Sequence, residues 1–190
     1  MKYYHFTSLT LRNGEPIPPI GEWLIHTEEI VHCVSGLHAS PTPFDALNYA
    51  PGCLLHEVEL SGIIIPHGNP VNKLVAEKRK ITATINASEL CLHFACDCAL
   101  DVIHLWEAPE IVFTFLKTRD KKTAATIYAA TYSAAAAIYG AAAAYAATIY
   151  ATIYAAANAA AYAHKTKKTD KIIEYKNRLN QLVYDNFAKT

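Results

Sequence analysis

The chain has 190 residues, in which 17 lysines and arginines balance 17 aspartates and glutamates. A chain of this length has room for one ordinary domain with an extension, or for two very small domains. Because the charges cancel, no global field draws the protein to nucleic acid or to an anionic membrane, and neither is expected as a partner.

The amino-acid composition changes near Lys121, and this change divides the chain. All 9 prolines, both tryptophans and all 5 cysteines precede it, while residues 123–164 contain no Asp, Glu, Lys or Arg. We therefore expect an α+β domain over residues 1–120 that binds a ligand or a partner. A long alanine- and tyrosine-rich helix over 121–164 and a basic linker with an amphipathic helix over 165–190 are expected to follow.

The first region is predicted to contain short strands, separated by glycine and proline turns and forming a small mixed or antiparallel sheet. The predicted strands are 2–7, 22–25, 35–38, 54–60, 63–65 and 81–85, with a short helix over 43–50. Partial alternation of apolar residues in 54–60 predicts a strand with one solvent-exposed face.

Helices are predicted after the strands, which is the order of an α+β fold. A capping box at 86–89 begins a helix whose apolar spacing places Cys91 and Cys98 on a buried stripe that continues to Trp106. Pro109 is expected to end this helix and to open the next, which buries Ile111 and Leu116 among others.

The region 121–164 is predicted to be a long helix that packs against other helices. Alanine is the strongest helix former, and an Ile-Tyr pair returns at 127–128, 138–139 and 149–150. Such an eleven-residue repeat has about 3.67 residues per turn and keeps the pair on one helix face. An uncharged helix must be covered, either by the N-terminal domain or by copies of itself. Because few other residues remain to cover it, we expect copies of this segment to pair and the protein to form a homo-oligomer.

A transmembrane interpretation of the same run is weaker. Alanine is nearly neutral for membrane insertion, and Leu, Ile, Phe and Val are too sparse in this segment. The last region is expected to form an amphipathic helix capped by Thr169 or Asp170, with Leu179, Leu182 and Val183 among its inward residues.

The cysteines favour free thiols in a reducing compartment. Their number is odd, and the N-terminus carries no apolar stretch typical of a secretory signal, so a cytoplasmic location is expected. Cys91, Cys96 and Cys98 lie near His93, but no second ligand pair accompanies them as in structural zinc sites. We expect buried core cysteines, no metal and no cofactor.

The candidate ligand-binding residues are His5, Thr7, His38, Ser40, Tyr49, Lys73 and Arg79. Most of them lie beside small residues and turns, which let a ligand approach the backbone closely. The alternative is that Leu37, Leu47 and Tyr49 simply fill a core. The basic segment 73–80 is suited to a phosphate or a nucleotide, although a solvated loop with ordinary surface lysines is the commoner explanation.

Several segments resemble a family of uncharacterised phage and prophage proteins. The resemblance is carried by Gly21-Glu22-Trp23-Leu24, by Gly36-Leu37-His38-Ala39-Ser40 and by Asp45-Ala46-Leu47-Asn48-Tyr49-Ala50-Pro51-Gly52. It covers residues 1–116, and members similarly carry alanine-rich tails with spaced aromatic residues. It implies the cytoplasm of a phage host, and it brings no activity with it.

A more distant likeness is to ADP-ribosyltransferase folds. His5 and Thr7 resemble the His-x-Thr of their first strand, and residues 46–50 resemble the helix that follows. In that fold the histidine contacts a ribose hydroxyl of NAD and an aromatic side chain stacks on nicotinamide. The likeness implies a pocket, with Glu57 or Glu59 as the carboxylate of an NAD-using enzyme.

Three functions therefore remain open. The first is a phage-type intracellular binding or host-interaction protein, with a counter-defence role and a nucleotide-type ligand or a host protein as partner. The second is an ADP-ribosyltransferase-like enzyme that uses NAD. The third is a structural assembly protein in which the alanine-rich helix is the working part.

Overall fold

The computed structural model describes residues 1–31, 34–105, 107, 110–120 and 168–190. They confirm the α+β class with a small antiparallel sheet, several helices and a C-terminal helix. The predicted alanine-rich helix over 121–164 lies outside these residues. The chain divides into two compact units: residues 1–88 with 179–190, and residues 89–178.

The first unit is built on a 5-stranded sheet in which every pairing is antiparallel. Its elements are β1 (Tyr3–Thr7), β2 (Trp23–Ile25), β3 (Leu37–Ala39), α1 (Pro43–Leu47), β4 (Leu54–His67) and β5 (Lys73–Asn86). The strand order is β1-β4-β5-β2, and β3 pairs with β5 as well.

Strand β1 also contacts the end of β3, through backbone hydrogen bonds between Tyr4 and Ser40. The amide of Tyr4 donates to the carbonyl of Ser40 at 2.9 Å, and the amide of Ser40 donates back at 2.8 Å. Because Ser40 directly follows β3, the strands β1, β4, β5 and β3 form a closed ring of hydrogen-bonded neighbours. A core cluster of Ala39, Val58 and Ile81 takes one buried residue from each of β3, β4 and β5.

Strand β4 differs from the prediction in length and in burial. The predicted strands 54–60 and 63–65 are one strand, with irregular register between Glu57 and Val58 and again between Ser61 and Ile64. The predicted solvent-exposed face over 54–60 is wrong, because the consecutive residues from Leu55 to Val58 are all buried. Both faces of this part of the strand are therefore covered.

Strand β5 corrects the interpretation of the basic segment 73–80 as a solvated loop. The strand runs from Lys73 to Asn86, so the predicted strand 81–85 is only its second half. Its first half pairs with β4 on one edge and with β2 and β3 on the other. Hydrogen bonding on both edges overrides the low strand propensity of lysine and glutamate.

The last turns of the C-terminal helix α4 (Lys168–Phe187) belong to the first unit. Its Asn180 side chain accepts a hydrogen bond of 2.9 Å from the backbone N–H of Phe44 at the start of α1. The ring of Tyr184 lies 5.7 Å from that of Tyr4. The predicted burial of Leu179 and Val183 is confirmed, whereas Leu182 is exposed.

The second unit contains most of α2 (Ser88–Asp101), a 3-10 turn (Ile103–Leu105), α3 (Glu110–Thr118) and the first turns of α4. Cys91 and Cys98 are buried as predicted, but Ile111 is exposed. Trp106 and Pro109 lie outside the described residues. In the part of the chain that the structure describes, no helix has the length and apolar character needed to cross a bilayer.

Candidate functional site

A cavity of about 470 Å³ lies in the first unit. The predicted site residues that line it are His5, Thr7, His38, Ser40, Tyr49, Lys73 and Arg79. The structure thus brings together candidates that are up to 74 positions apart, from His5 to Arg79 (79 − 5). Their part in binding a ligand stays a prediction.

Pairing of the strands explains why these residues meet. His5 and Thr7 lie on β1, whose neighbour in the ring is the end of β3 through the bridge between Tyr4 and Ser40. Gly36, just before β3, has a φ of 118° and lines the cavity. A Cβ at this glycine would overlap Cγ2 of Val75, so a larger residue would move the wall.

Arg79 is the most unusual residue of the site. It lies on β5 opposite Leu24 of β2, and its side chain is buried, with 6% exposure. Its Nη1 donates a hydrogen bond of 2.6 Å to the carbonyl oxygen of His38, and none of the ion pairs among the described residues includes it. Burial lowers its pKa to about 10, so the guanidinium remains charged at neutral pH.

The other charged side chains in the lining make the wall basic. Arg12 and Lys73 line the cavity with Arg79, and Glu15 is the acidic side chain of the lining among the described residues. The Nζ of Lys73 lies 4.5 Å from the centroid of the Tyr49 ring, which is a cation–π distance. Tyr49 is itself 43% exposed, so this pair stands where the cavity opens to solvent.

His5 contributes a neutral imidazole to the wall. Burial lowers its pKa well below the ordinary range, and the positive charge of Arg79 and the nearby His56 and His38 lower it further. Its ring stacks on that of His56 with 6.5 Å between centroids. At neutral pH His5 therefore offers one hydrogen-bond donor and one acceptor, and no charge.

His56 is a residue of this region that the sequence did not single out. It pairs with His5 in the register of β1 and β4, is fully buried, and does not line the cavity itself. Its Nε2 lies 2.8 Å from Oγ1 of Thr7, and its Nδ1 lies 2.8 Å from Oγ1 of Thr84. Burial, followed by the charge of Arg79, lowers its pKa to about 4.

The lining residues with charged or imidazole side chains that were missed are Arg12, Glu15 and His26. The turn of residues 11–15 is closed by hydrogen bonds from the amide of Gly14 to Leu11 and from that of Leu11 to Glu15. His26 is held by Ser35, whose Oγ lies 2.8 Å from its Nε2. Glycine turns between the strands were expected from the sequence, but a turn pattern does not say what the turn covers.

The two carboxylates suggested for an enzyme do not line the cavity. Glu57 forms an ion pair with Lys2 at 2.9 Å and accepts a hydrogen bond from Thr82 at 3.0 Å. Glu59 forms an ion pair with Lys80 at 2.7 Å. Within the described residues, no group of three or more His, Cys, Asp or Glu side chains is arranged to hold a metal ion.

Residues 1–93 match the family model of a domain of unknown function (DUF7666). The matched stretch includes the whole sheet, α1 and every predicted site residue. No curated protein and no solved structure matches the chain. The match supplies no activity, and the resemblances to phage proteins and to ADP-ribosyltransferase folds stay predictions of the sequence.

Proposed function

We propose that the first unit is a binding module for a small ligand with an anionic group of the phosphate type, such as a nucleotide. The cavity holds this ligand, and Arg79 is the principal partner of the anion. The observation that carries the proposal is that the Arg79 guanidinium is buried beside the cavity and forms no ion pair with a carboxylate of the described residues.

The energetic argument is that a buried cation needs compensation. Removing an ion from water costs several kcal/mol, which an opposite charge normally offsets. Arg79 receives one neutral carbonyl acceptor from His38. An anion in the cavity supplies the missing charge, and a guanidinium binds carboxylates and phosphates through paired hydrogen bonds.

The size and lining of the cavity agree with this ligand class. A volume of about 470 Å³ falls within the range of about 300–1,000 Å³ typical of small-molecule sites. Arg12 and Lys73 add positive charge, while Leu11, Leu24 and Leu37 add apolar surface for the rest of the ligand. Neutral His5 adds a donor that needs no proton uptake.

Calorimetric titration of the full chain tests the proposal, with inorganic phosphate, pyrophosphate, AMP and NAD as probes. We expect at least one of these to bind, and we expect Arg79→Gln to weaken that binding by at least ten-fold. Lys78→Gln is the matched control, because Lys78 neighbours Arg79 on β5 but does not line the cavity. Binding that is unchanged in Arg79→Gln, or absent for every probe, contradicts the proposal.

The same titrations address the enzyme alternative. Consumption of NAD that is lost in His5→Ala favours an ADP-ribosyltransferase-like activity, whereas binding without turnover favours the binding module. The carboxylates suggested for that activity, Glu57 and Glu59, do not line the cavity, and three basic side chains stand there against the single carboxylate of Glu15 among the described residues. This basic lining favours the binding module over the enzyme.

The wider role is proposed on the sequence alone. We infer that the module acts in a phage-type intracellular host-interaction protein and that the segment 121–164 joins copies of the chain into a homo-oligomer. Light scattering during size-exclusion chromatography tests the second statement. A monomer at micromolar concentration contradicts it.

A further inference from the structure

A chain of hydrogen bonds behind the cavity wall joins β5, β4 and β1. Oγ1 of Thr84 lies 2.8 Å from Nδ1 of His56, and Nε2 of His56 lies 2.8 Å from Oγ1 of Thr7. Oγ1 of Thr7 in turn lies 2.8 Å from the carbonyl oxygen of Ser8. Thr7 lines the cavity, whereas Ser8, His56 and Thr84 do not.

The direction of each hydrogen bond follows from the carbonyl oxygen of Ser8, at which this series of hydrogen bonds ends. A carbonyl oxygen only accepts, so the single hydroxyl proton of Thr7 is donated to Ser8. Nε2 of His56 must then carry a proton and donate it to Thr7, because the Thr7 oxygen has no second proton to give. A neutral imidazole with its proton on Nε2 accepts at Nδ1, and the hydroxyl of Thr84 supplies that donor.

Protonation of the imidazole would not reverse this arrangement at Thr7. In an imidazolium both ring nitrogens donate, so Nε2 of His56 would still donate to Thr7. The tautomer with its proton on Nδ1 would instead require Thr7 to donate to Nε2 and to abandon Ser8. With His56 either neutral and protonated on Nε2 or doubly protonated, the Thr7 hydroxyl therefore donates its proton to Ser8. Toward any other group it can only accept.

We propose that His56 is a positioning residue that fixes the Thr7 hydroxyl as an acceptor, so that the cavity selects a ligand with a hydroxyl or N–H donor besides its anionic group. This inference rests on the proposed anion site at Arg79 and deepens it. A fully ionised phosphate monoester has no proton for Thr7 and receives none from it, so this group stays with Arg79 and a neutral donor group of the ligand faces Thr7.

The expected ligand class is thus a phosphorylated polyol, sugar or sugar-containing nucleotide, in contrast to a simple phosphate or an apolar phosphate ester. A hydroxyl that donates to Thr7 gains one hydrogen bond. Such a bond contributes about 3- to 10-fold in affinity under ordinary conditions. An apolar group at the same place leaves the acceptor without a partner.

Two pairs of probes measure this preference. Glycerol 3-phosphate is compared with propyl phosphate, and glucose 6-phosphate with hexyl phosphate, by calorimetric titration of the full chain. Each pair shares its charged group and differs in hydroxyls, and the second pair reaches further from the anion. We expect the hydroxylated member of at least one pair to bind about 3- to 10-fold more tightly to the wild-type protein. Equal affinity within both pairs overturns the inference.

Substitutions at Thr7 and His56 test whether these residues determine the preference for hydroxylated phosphate compounds. Thr7→Val removes the hydroxyl at nearly constant volume, and we expect it to equalise the affinities within each pair. Thr7→Ser retains the hydroxyl and should retain the preference. His56→Gln keeps an N–H donor toward Thr7 and should also retain it, whereas His56→Leu should lose it. A preference that survives Thr7→Val overturns the assignment.

Nitrogen-15 NMR of the wild-type imidazoles provides a test that needs no ligand and no variant. We expect His56 to show a protonated Nε2 and an unprotonated Nδ1 at pH 7, and a proton on Nδ1 alone overturns the inference. The two proposals fail separately. If no phosphate compound binds, the anion site fails; if phosphate binds through Arg79 without any hydroxyl preference, only the role of Thr7 and His56 fails.

Discussion

The guanidinium of Arg79 donates a 2.6 Å hydrogen bond to the backbone carbonyl oxygen of His38, across the pairing of β5 with β3. This bond fixes the cation at the wall of the cavity but leaves its charge without an opposite charge among the ion pairs of the described residues. Arg79 is therefore expected to serve a ligand at the expense of the stability of the fold.

The first prediction concerns Arg79→Met, which replaces the cation by an unbranched apolar side chain. The variant loses the hydrogen bond to His38, which contributes about 1 kcal/mol, and it also loses the larger desolvation cost of a buried ion. We expect the free energy of unfolding to stay unchanged or to rise by about 1 kcal/mol, while phosphate binding is lost. Urea denaturation and calorimetry measure the two quantities.

Lys78→Met is the control for this comparison. Its Nζ lies 3.8 Å from a carboxylate oxygen of Glu77, and its side chain is 39% exposed. It should change neither the stability by more than about 0.5 kcal/mol nor the binding. If Arg79→Met instead lowers the free energy of unfolding by more than about 3 kcal/mol, Arg79 has a structural role and the argument from its missing partner is wrong.

The second prediction is a loss of stability in mild acid. The folded pKa of His56 is about 4, below its ordinary value of 6.5. Between these values the unfolded chain binds more protons than the folded one, so stability is present above about pH 6.5 and decreases as the pH falls toward 4. His5 has a lowered pKa and adds a change of the same sign. The share of His56 amounts to about 3 kcal/mol at the acid end.

Urea denaturation at pH 7.5, 6.5, 5.5 and 4.5 measures this decrease. His56→Gln removes one titrating group while keeping a donor toward Thr7, so its stability should depend less steeply on pH than that of the wild type. Carboxylates titrate in both proteins and cancel in the difference. Parallel profiles for the two proteins would show that His56 is not the group responsible.

The fold class followed from the sequence because strands came first and helices after them, and α2 was readable from its capping box and apolar spacing. The first half of β5 could not be predicted as a strand from the sequence. Lys73, Lys78 and Lys80 have low strand propensity, and only pairing with β2, β3 and β4 makes this segment a strand. The burial of Leu55 to Val58 on both faces is likewise a consequence of tertiary packing.

The candidate site divides in the same way. Ser40 and Tyr49 were predicted because polar side chains next to glycine and proline turns are visible in the sequence, and His5 was predicted from the likeness of the first strand to a His-x-Thr motif. His56 was missed, because its relation to His5 is a matter of strand register across 51 positions (56 − 5). Two residues that are neighbours only because their strands pair leave no local pattern in the amino-acid sequence.

The third prediction compares two glycines with positive φ. Gly36 has a φ of 118°, and a Cβ there would overlap Val75, whereas Gly14 has a φ of 87° and open space around the position of a Cβ. Gly14→Ala should cost about 1 kcal/mol from backbone strain alone. Gly36→Ala should cost about 2 kcal/mol more, because it also overpacks a buried wall.

Urea denaturation of both variants measures the difference, and phosphate titration follows its effect on the cavity, since Gly36 is part of the lining. We expect Gly36→Ala to weaken binding by displacing the start of β3. If the two variants lose equal stability, the close approach of Gly36 to Val75 does not constrain the fold.

The last prediction concerns Asn180 of α4, whose Oδ1 accepts a 2.9 Å hydrogen bond from the backbone N–H of Phe44. Both residues are buried, so Asn180→Ala removes a hydrogen bond from the interior and should cost about 1–3 kcal/mol. Asn180→Asp keeps an acceptor oxygen and should be less destabilising at neutral pH. Asn186→Ala is the control, because Asn186 is exposed on the same helix.

Urea denaturation gives the stabilities, and hydrogen exchange gives the protection of the Phe44 amide. That protection should decrease in Asn180→Ala more than in Asn186→Ala, and equal protection would show that α4 does not cap α1.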